Sequence, residues 1–483
     1  MISLDKIVLN YIKNYHHEYM MIDEHKKYSK EQIVNKILHY QEELNKIWKN
    51  SKNRGIAILL ERDVDYICLI FATWISNGFY LPLSHDTPKK NIKSQLEAAK
   101  INFIAEKRNK KIKLRCLNNK KKNKLIEKNY KNISYIIFTS GSTGNKKGVC
   151  ISNTGFVSYL DSIKKKFKSK KEPNSLVISG ELTFDITIAD LAFALVFGSQ
   201  IIITNKSQNL ISLLSMIEEN KAESIYLVPS AIDKLLEFSK KIKINNLNSI
   251  KQINLGGEMF SVNLLSKIKK FFRGAKIYNF YGPTEFTVNV FCHEINLKKK
   301  YKEIPIGKPL AGISTLIKNG ELYLHGKQKM LGYVNNDDQS EKINNKVYYP
   351  TGDMVEKKKN NEFFFRGRIK DYIKLDGYRI NLTSIENILH KHLLVPVKIS
   401  TYNNKILLFV EEKNNNKKKL DLKIQKVFYS YLEKYERPSY VIYKNKFPIL
   451  ESGKVDLKKL IFLSKIKKWF ILLIQIFTNT HYF

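Results

Sequence analysis

Four cysteines in 483 residues, Cys68, Cys116, Cys150 and Cys292, are too few and too scattered for a disulfide framework. With no CxxC pair and no His-flanked cluster, they also offer no ligand set for structural zinc. Acidic residues are scarce: 45 Asp and Glu stand against 84 Lys and Arg, a formal net charge of +39. The excess is spread along the chain beside abundant Asn and Ile rather than gathered on one face. No interleaved aromatic readout, zinc-finger spacing or homeodomain-like helix set accompanies it, so no nucleic-acid partner is expected. The N-terminus, MISLDKIVLNYIKNYHHEY, is interrupted by charge too often for a secretory signal, and a reducing cytoplasm is the expected location. Long apolar runs are missing as well. The basic, apolar tail from Ile461 to Phe483 has its longest run at Trp469 to Ile474, far short of the ~20 residues that span a bilayer. Packing on the preceding domain and an interfacial helix both remain open for it, and no membrane partner is expected.

What is present is material for a core. Hydrophobic residues make up 43% and aromatics 12%, enough for a globular chain of roughly two to four units. Short apolar runs at Tyr135 to Phe138, Leu176 to Ser179, Gln200 to Thr204, Ser224 to Val228 and Gln252 to Leu255 alternate with helical stretches. That spacing predicts parallel strands crossed by helices. The basic stretch Lys107 to Lys128 reads as an exposed excursion or edge hairpin. From about Pro305 the texture changes to short strands and turns. The expected architecture is α/β: a large N-terminal domain of α/β subdomains plus a small β-lobe (1–369), then a small α+β C-terminal domain (370–460) and the tail (461–483).

The richest segment is Tyr135 to Val149, YIIFTSGSTGNKKGV. Glycines let backbone N–H groups approach an anion, hydroxyls donate further hydrogen bonds, and Lys147 adds a mobile positive charge. No Walker spacing can be drawn through Gly141, Gly144 and Gly148. By composition alone, a surface loop is an equal alternative.

This segment resembles the phosphate-binding signature of the adenylate-forming superfamily, which includes acyl-CoA synthetases and peptide-synthetase adenylation domains. Further matches follow in that family's order: GFYLPL at Gly78, FDIT at Phe184, NLGGE at Asn254, NFYGPTE at Asn279, NGELYLHG at Asn319, YPTGD at Tyr349, GRIKDYIKLDGYRI at Gly367 and ESGKVD at Glu451. The resemblance implies ATP-dependent activation of a carboxylic acid as an acyl adenylate, then transfer to a thiol. It implies ATP contacts at Thr139, Ser140, Gly141, Ser142, Thr143, Gly144 and Lys147, with Gly257, and an adenine site at Asn279 and Tyr281. Asp353 is suited to accept from the ribose hydroxyls, and Arg368 resembles a second ribose or phosphate contact. Thr284 would donate to the α-phosphate, and Glu285 would be the Mg²⁺ ligand, since a hard cation bridging phosphates takes oxygen donors. Lys454 corresponds to the catalytic lysine carried into the site by the C-terminal domain, which turns about a hinge at Lys370.

Asp185 of FDIT resembles the aspartate that pairs with the ammonium of an amino-acid substrate. A helix cap is the other reading, since a helical stretch ending at Gly198 follows, and both roles can hold together. Ile186, Ala189, Tyr226, Asn254, Gly256, Phe280, Val288 and Asn289 resemble pocket positions. No Gly-Gly-x-Ser attachment site follows Leu460, so the expected acceptor is the phosphopantetheine of a separate carrier protein, or coenzyme A. The alternatives are a fatty or aryl acid CoA ligase, which Lys370 favours over the usual aspartate, and an inactive relative acting in binding. Lys146 stands where Pro is usual in this family, and Asn153 where His is frequent.

Overall fold

The computed structural model describes residues 2–109, 111–117, 132–139, 146–168, 173–205, 209–244, 247–334, 338–369, 372–412, 417–448 and 455–465. Local chemistry explains where its elements begin. Helix Lys30–Trp48 starts at a reciprocal capping box between Ser29 and Gln32, and Ile33, Ile37, Tyr40, Leu44 and Trp48 form its buried stripe. Asp63 accepts from the Tyr66 N–H at the head of Val64–Ile75, a helix apolar almost all round because it is buried on every side. Ile186–Phe197 ends at Gly198, whose left-handed φ of 71° suits glycine.

Two large sheets organise these helices. A nine-stranded sheet has parallel strands Tyr19–Ile22, Gln200–Ile203, Ser175–Ile178, Ser224–Leu227, Gln252–Leu255 and Lys276–Tyr281 side by side, with antiparallel strands at its edges. A seven-stranded sheet holds Gly55–Leu59, Phe79–Pro82, Phe103–Arg108, Ile133–Thr139 and Lys147–Ser152 among others. One core joins residues from both, including Ile56 and Ile137 from one sheet and Ile178 and Tyr278 from the other, through helices Val64–Ile75, Asn153–Phe167 and Ile186–Phe197. A second core lies where helices Leu210–Glu219, Pro229–Lys241 and Val262–Phe271 meet the nine-stranded sheet.

The expected α/β architecture is present, with one redistribution. Four of the five apolar runs lie in the nine-stranded sheet, whereas Ile133–Thr139 lies in the other. The reason is its return: Lys147–Ser152 comes back antiparallel to it, so the segment is a hairpin rather than a crossover to a helix. The basic stretch likewise begins as an antiparallel edge hairpin, Phe103–Arg108 with Lys111–Cys116.

A five-stranded sheet built on Lys346–Lys357 supplies the β-lobe. Beyond it, the hairpin of Tyr372–Leu375 with Tyr378–Asn381 leads into a separate core, where helices Leu382–Leu393 and Lys417–Tyr431 pack on a three-stranded sheet. Helix Leu457–Lys465 buries Leu460 against Leu407, Phe409 and Phe447 and runs through the position where the tail was expected to begin. Among the described residues, no helix is long and apolar enough to cross a membrane.

Candidate functional site

A cleft opens where these units meet. Its walls include Thr139 and Lys146 from the glycine-rich hairpin, Phe184 and Asp185, Gly257, the turn Gly282 to Glu285, Arg368, and Lys374, Gly377, Tyr378, Glu433 and Tyr435 from the C-terminal segment.

The glycine-rich hairpin brings Thr139 and Lys147 into register opposite each other. Ser140, Gly141, Ser142, Thr143 and Gly144, between them, lie outside the described residues, as do Lys370 and Lys454. The Lys147 ammonium lies over the Tyr333 ring, 4.9 Å from its centroid, and the Tyr333 hydroxyl donates to Glu285 Oε1 at 2.9 Å. A cation of the hairpin and the carboxylate of NFYGPTE are thus linked through one phenol.

The NFYGPTE turn is folded hard upon itself. Thr287 and Val288 hold left-handed φ of 56° and 67°, unusual for β-branched residues and costly. A Cβ on Gly282 would collide with the Val288 carbonyl oxygen. What sustains the turn is burial and bonding: the Thr287 hydroxyl donates to the Gln328 carbonyl at 2.5 Å, and the Asn289 side chain accepts from the Tyr226 hydroxyl at 2.9 Å and donates to the Tyr159 hydroxyl at 2.8 Å. The result sets Thr284 and Glu285 side by side at the cleft.

Asp185 faces them from the head of helix Ile186–Phe197. Its side chain makes no capping hydrogen bond. It accepts instead from the Thr284 hydroxyl at 2.6 Å. The helix-cap reading of Asp185 is therefore corrected: at φ −72° and ψ −10° its backbone already belongs to the helical region, unlike the extended residue that caps through its side chain. Asp185 is 7% exposed. Burial pushes its pKa up to about 6, against the Thr284 hydrogen bond and the Lys374 ammonium, while the nearby Glu285 charge raises it.

The ribose candidates are paired by sheet register, Asp353 opposite Arg368. The Arg368 Nε lies 2.8 Å from Asp353 Oδ1, and the Tyr281 hydroxyl donates to Asp353 Oδ2 at 2.6 Å. Tyr281 packs edge-on to Phe291, and the Asn279 amide donates to the Pro305 carbonyl at 2.8 Å, so neither lines the cleft as it stands. Tyr226, Phe280, Val288, Asn289, Ile186, Ala189 and Asn254 are all buried and are not among the residues lining the cleft. Gly256 precedes the cleft residue Gly257, and Asn254 accepts from the Gln252 amide at 3.1 Å.

ATP and Mg²⁺ fit the donor set. Among the described residues, no three His, Cys, Asp or Glu gather as a metal cage. A single carboxylate such as Glu285, at a cleft with a lysine-bearing hairpin, matches a cation held mainly by phosphate oxygens and water.

Several cleft residues escaped the sequence reading. Lys374, Gly377 and Tyr378 sit inside the matched GRIKDYIKLDGYRI stretch, which was the available signal. Glu258 of NLGGE accepts from the Ser230 N–H and hydroxyl at 2.8 and 3.0 Å and from the Gly377 N–H at 2.5 Å, tying the C-terminal hairpin to the large sheet. Glu433 and Tyr435 gave no signal, because their importance comes from distant partners. Lys146 forms an ion pair with Glu433 at 2.9 Å and donates to Tyr435 at 3.0 Å, while Tyr435 stacks on Tyr378 with centroids 3.9 Å apart. Burial works against the Lys146 ammonium, yet Tyr435, Glu433 and Glu436 outweigh it and raise its pKa. The lysine standing in place of the usual proline thus fastens the glycine-rich hairpin to the C-terminal segment. Lys146→Met and Glu433→Gln should each lower stability to urea by about 2–4 kcal/mol, with the double variant losing less than the sum, because each single change strands a buried partner. Additive losses would show that the pair is not coupled.

Comparison with known proteins places the chain in a family. The model of the AMP-binding enzyme family matches residues 47–334. Bacitracin synthase 3 of Bacillus licheniformis is 27% identical over 465 residues, 87% of this chain and 7% of its own length. The chain likewise spans 17% and 12% of two Bacillus subtilis relatives, from the mycosubtilin and plipastatin synthases. The D-alanine--D-alanyl carrier protein ligase of Lactiplantibacillus plantarum is 29% identical over 360 residues, covering 68% of this chain and 70% of that one. In fold, the Vibrio cholerae adenylation domain AlmE, solved with glycyl-adenosine-5'-phosphate, superposes with a TM-score of 0.79 at 18% identity, over 96% of this chain and 98% of that one.

Proposed function

Because the chain belongs to the AMP-binding enzyme family, we propose that it activates an α-amino acid as an acyl adenylate and passes the acyl group to the phosphopantetheine thiol of a separate carrier protein. In the first step a substrate carboxylate oxygen attacks the α-phosphorus of ATP and pyrophosphate leaves. In the second the thiol sulfur attacks the acyl carbon, AMP leaves, and the thiol gives up its proton. The observation that carries the amino-acid reading is Asp185: a buried carboxylate, free of any capping duty, at the cleft beside Thr284 and Glu285. A buried carboxylate gains most from a charged partner, and an ammonium supplies it. The likeness to a D-alanine--D-alanyl carrier protein ligase supports both substrate class and acceptor.

The other roles follow the same reading. The hairpin from Thr139 to Lys147 holds phosphates, Asp353 and Arg368 serve the ribose, and Glu285 holds Mg²⁺, which when bound neutralises charge on the phosphate oxygens. Residues 370–460 act as the moving unit that brings Lys454 to the reaction centre. A second reading, a fatty or aryl acid CoA ligase, draws support from Lys374, whose ammonium already lowers the Asp185 pKa and could be its standing partner.

ATP–pyrophosphate exchange with L- and D-amino acids, aryl acids and fatty acids tests the proposal. Exchange that depends on an amino acid is the expected result; exchange only with acids lacking an ammonium would move the assignment to the second reading. The pH dependence adds a sharper check. The ammonium pairs with ionised Asp185, whose pKa is pushed up to about 6 in the free protein. KM for the amino acid should therefore rise as pH falls through 6, by about tenfold per unit further down. A KM flat from pH 5 to 8 would detach Asp185 from substrate binding.

A further inference from the structure

Resting on the reading above that the glycine-rich hairpin holds the phosphates of ATP, we propose that Lys146 is a positioning residue that exchanges partners. Its ammonium holds Glu433 and so seats the C-terminal segment on the cleft; when ATP enters, the ammonium turns to the phosphates and the segment is released.

The C-terminal segment is held against the cleft at two places. On one side the Gly377 N–H donates to Glu258, and Lys234 pairs with Asp376 at 2.8 Å. On the other, Glu433 receives the Lys146 ammonium at 2.9 Å and the Asn91 amide at 3.0 Å, Lys434 reaches Asp86 at 3.2 Å, and Lys90 lies over the Tyr431 ring. Tyr378 is stacked on Tyr435, with its ring 5.6 Å from that of Phe184. These contacts are unequal. The side chains of Lys434 and Asp86 are 71% and 63% exposed, and those of Lys234 and Asp376 are 52% and 33% exposed, so each pair contributes little. Those of Lys146 and Glu433 are 17% and 4% exposed. Taking one member from a pair buried that deeply leaves a charge that is costly to keep out of water.

Lys146 is also the member of these contacts with a second use. It lines the cleft together with Thr139, Thr284, Glu285 and Arg368, and it immediately precedes Lys147, the residue opposite Thr139 in the hairpin. A triphosphate there presents several negative charges to an ammonium that otherwise faces the carboxylates of Glu433 and Glu436. Phosphate and Glu433 are both anions, so gathering them around one ammonium sets them against each other. Once the ammonium turns to phosphate, Glu433 loses that counter-charge and recovers hydration by moving out with its segment. The described residues beside Lys454, namely Pro448 and Val455, are not among those lining the cleft, whereas Tyr378 and Tyr435 are. Release is therefore the step that lets the unit turn and bring Lys454 in. A proline at position 146, usual in relatives by the resemblance above, has no ammonium to exchange.

The test is ATP·Mg²⁺ binding to the full chain without any acid, by calorimetry, joined to amide hydrogen exchange. Glu433→Gln should bind ATP about tenfold more tightly than the unaltered protein, because binding no longer has to break the clasp. In a Lys146→Met background the same substitution should change affinity by less than about twofold. A gain of equal size in that background would mean that Glu433 merely repels phosphate and would overturn the exchange of partners, as would no gain in either. Saturating ATP should also speed hydrogen exchange at the Gly377 amide and across residues 433–437 by about tenfold. Exchange unchanged with ATP bound would overturn the proposal, and that measurement needs no variant. No binding of ATP by the unaltered protein would overturn the nucleotide reading itself.

Discussion

Lys454→Ala is expected to lower ATP–pyrophosphate exchange by about 10²–10³-fold while nucleotide affinity stays within about threefold. The substrate carboxylate and the α-phosphate are both anions, and their approach is opposed until a cation spans them. A charged donor aimed at the group where charge develops contributes about 3–4 kcal/mol to the barrier, which is the stated loss in rate. In the proposed site, affinity for ATP is spread over the hairpin, the ribose contacts and Mg²⁺, so it should hardly move. Lys454 lies outside the described residues, but the chain on either side of it is well anchored. The Asp456 N–H donates to the Pro448 carbonyl at 2.8 Å, and Asp456 caps the following helix by accepting from the Lys459 N–H at 2.9 Å. Phe447 before Lys454 and Leu460 after it share one small core with Leu407 and Phe409. Transfer of the acyl group from preformed adenylate, measured in a single turnover, should be nearly unchanged. Exchange at the unaltered rate would remove Lys454 from the first step, and equal loss in both steps would assign it to folding or docking instead.

Asp185→Ala is expected to raise KM for the amino acid by about 10–150-fold with little change in KM for ATP. The size follows from a charge-assisted hydrogen bond, about 1.5–3 kcal/mol. Asp185→Asn separates charge from shape. It preserves an acceptor for the Thr284 hydroxyl, now at 2.6 Å from Asp185 Oδ2, yet cannot neutralise an ammonium. Both variants should show the raised KM if charge is what matters, and both should lose the rise in KM below pH 6. A defect in Asp185→Ala that Asp185→Asn repairs would mean that the residue serves only to position Thr284. An unchanged KM in both would withdraw the reason for choosing an amino acid.

Much of the candidate site was legible because its residues sit in short contiguous stretches. Thr139, Asp185, Gly257, Thr284, Glu285 and Arg368 come from separate matched segments, apart from the neighbours Thr284 and Glu285, and the fold brings all six to one cleft. The partners that modify them were less legible. Tyr333 holds Glu285 and carries Lys147 on its ring, and Tyr159 completes the Asn289 chain, but each is an aromatic in an ordinary context that only distance makes significant. The clasp of Lys146 with Glu433 joins residues far apart in the chain, and neither local period nor motif spacing reports such a pair.

The sequence by itself determined the α/β alternation, the stop at Gly198 and the order of the segments that match the family. These depend on neighbours within a few positions, where capping, periodicity and glycine's backbone freedom act directly. Only the tertiary structure decided that Ile133–Thr139 leaves its parallel relatives for another sheet, that Asp185 turns from its own helix to Thr284, and that the Tyr226 hydroxyl closes on Gly256. Each of those outcomes depends on what another part of the chain places within a few ångströms, and burial then decides which of several locally allowed partners a polar side chain takes.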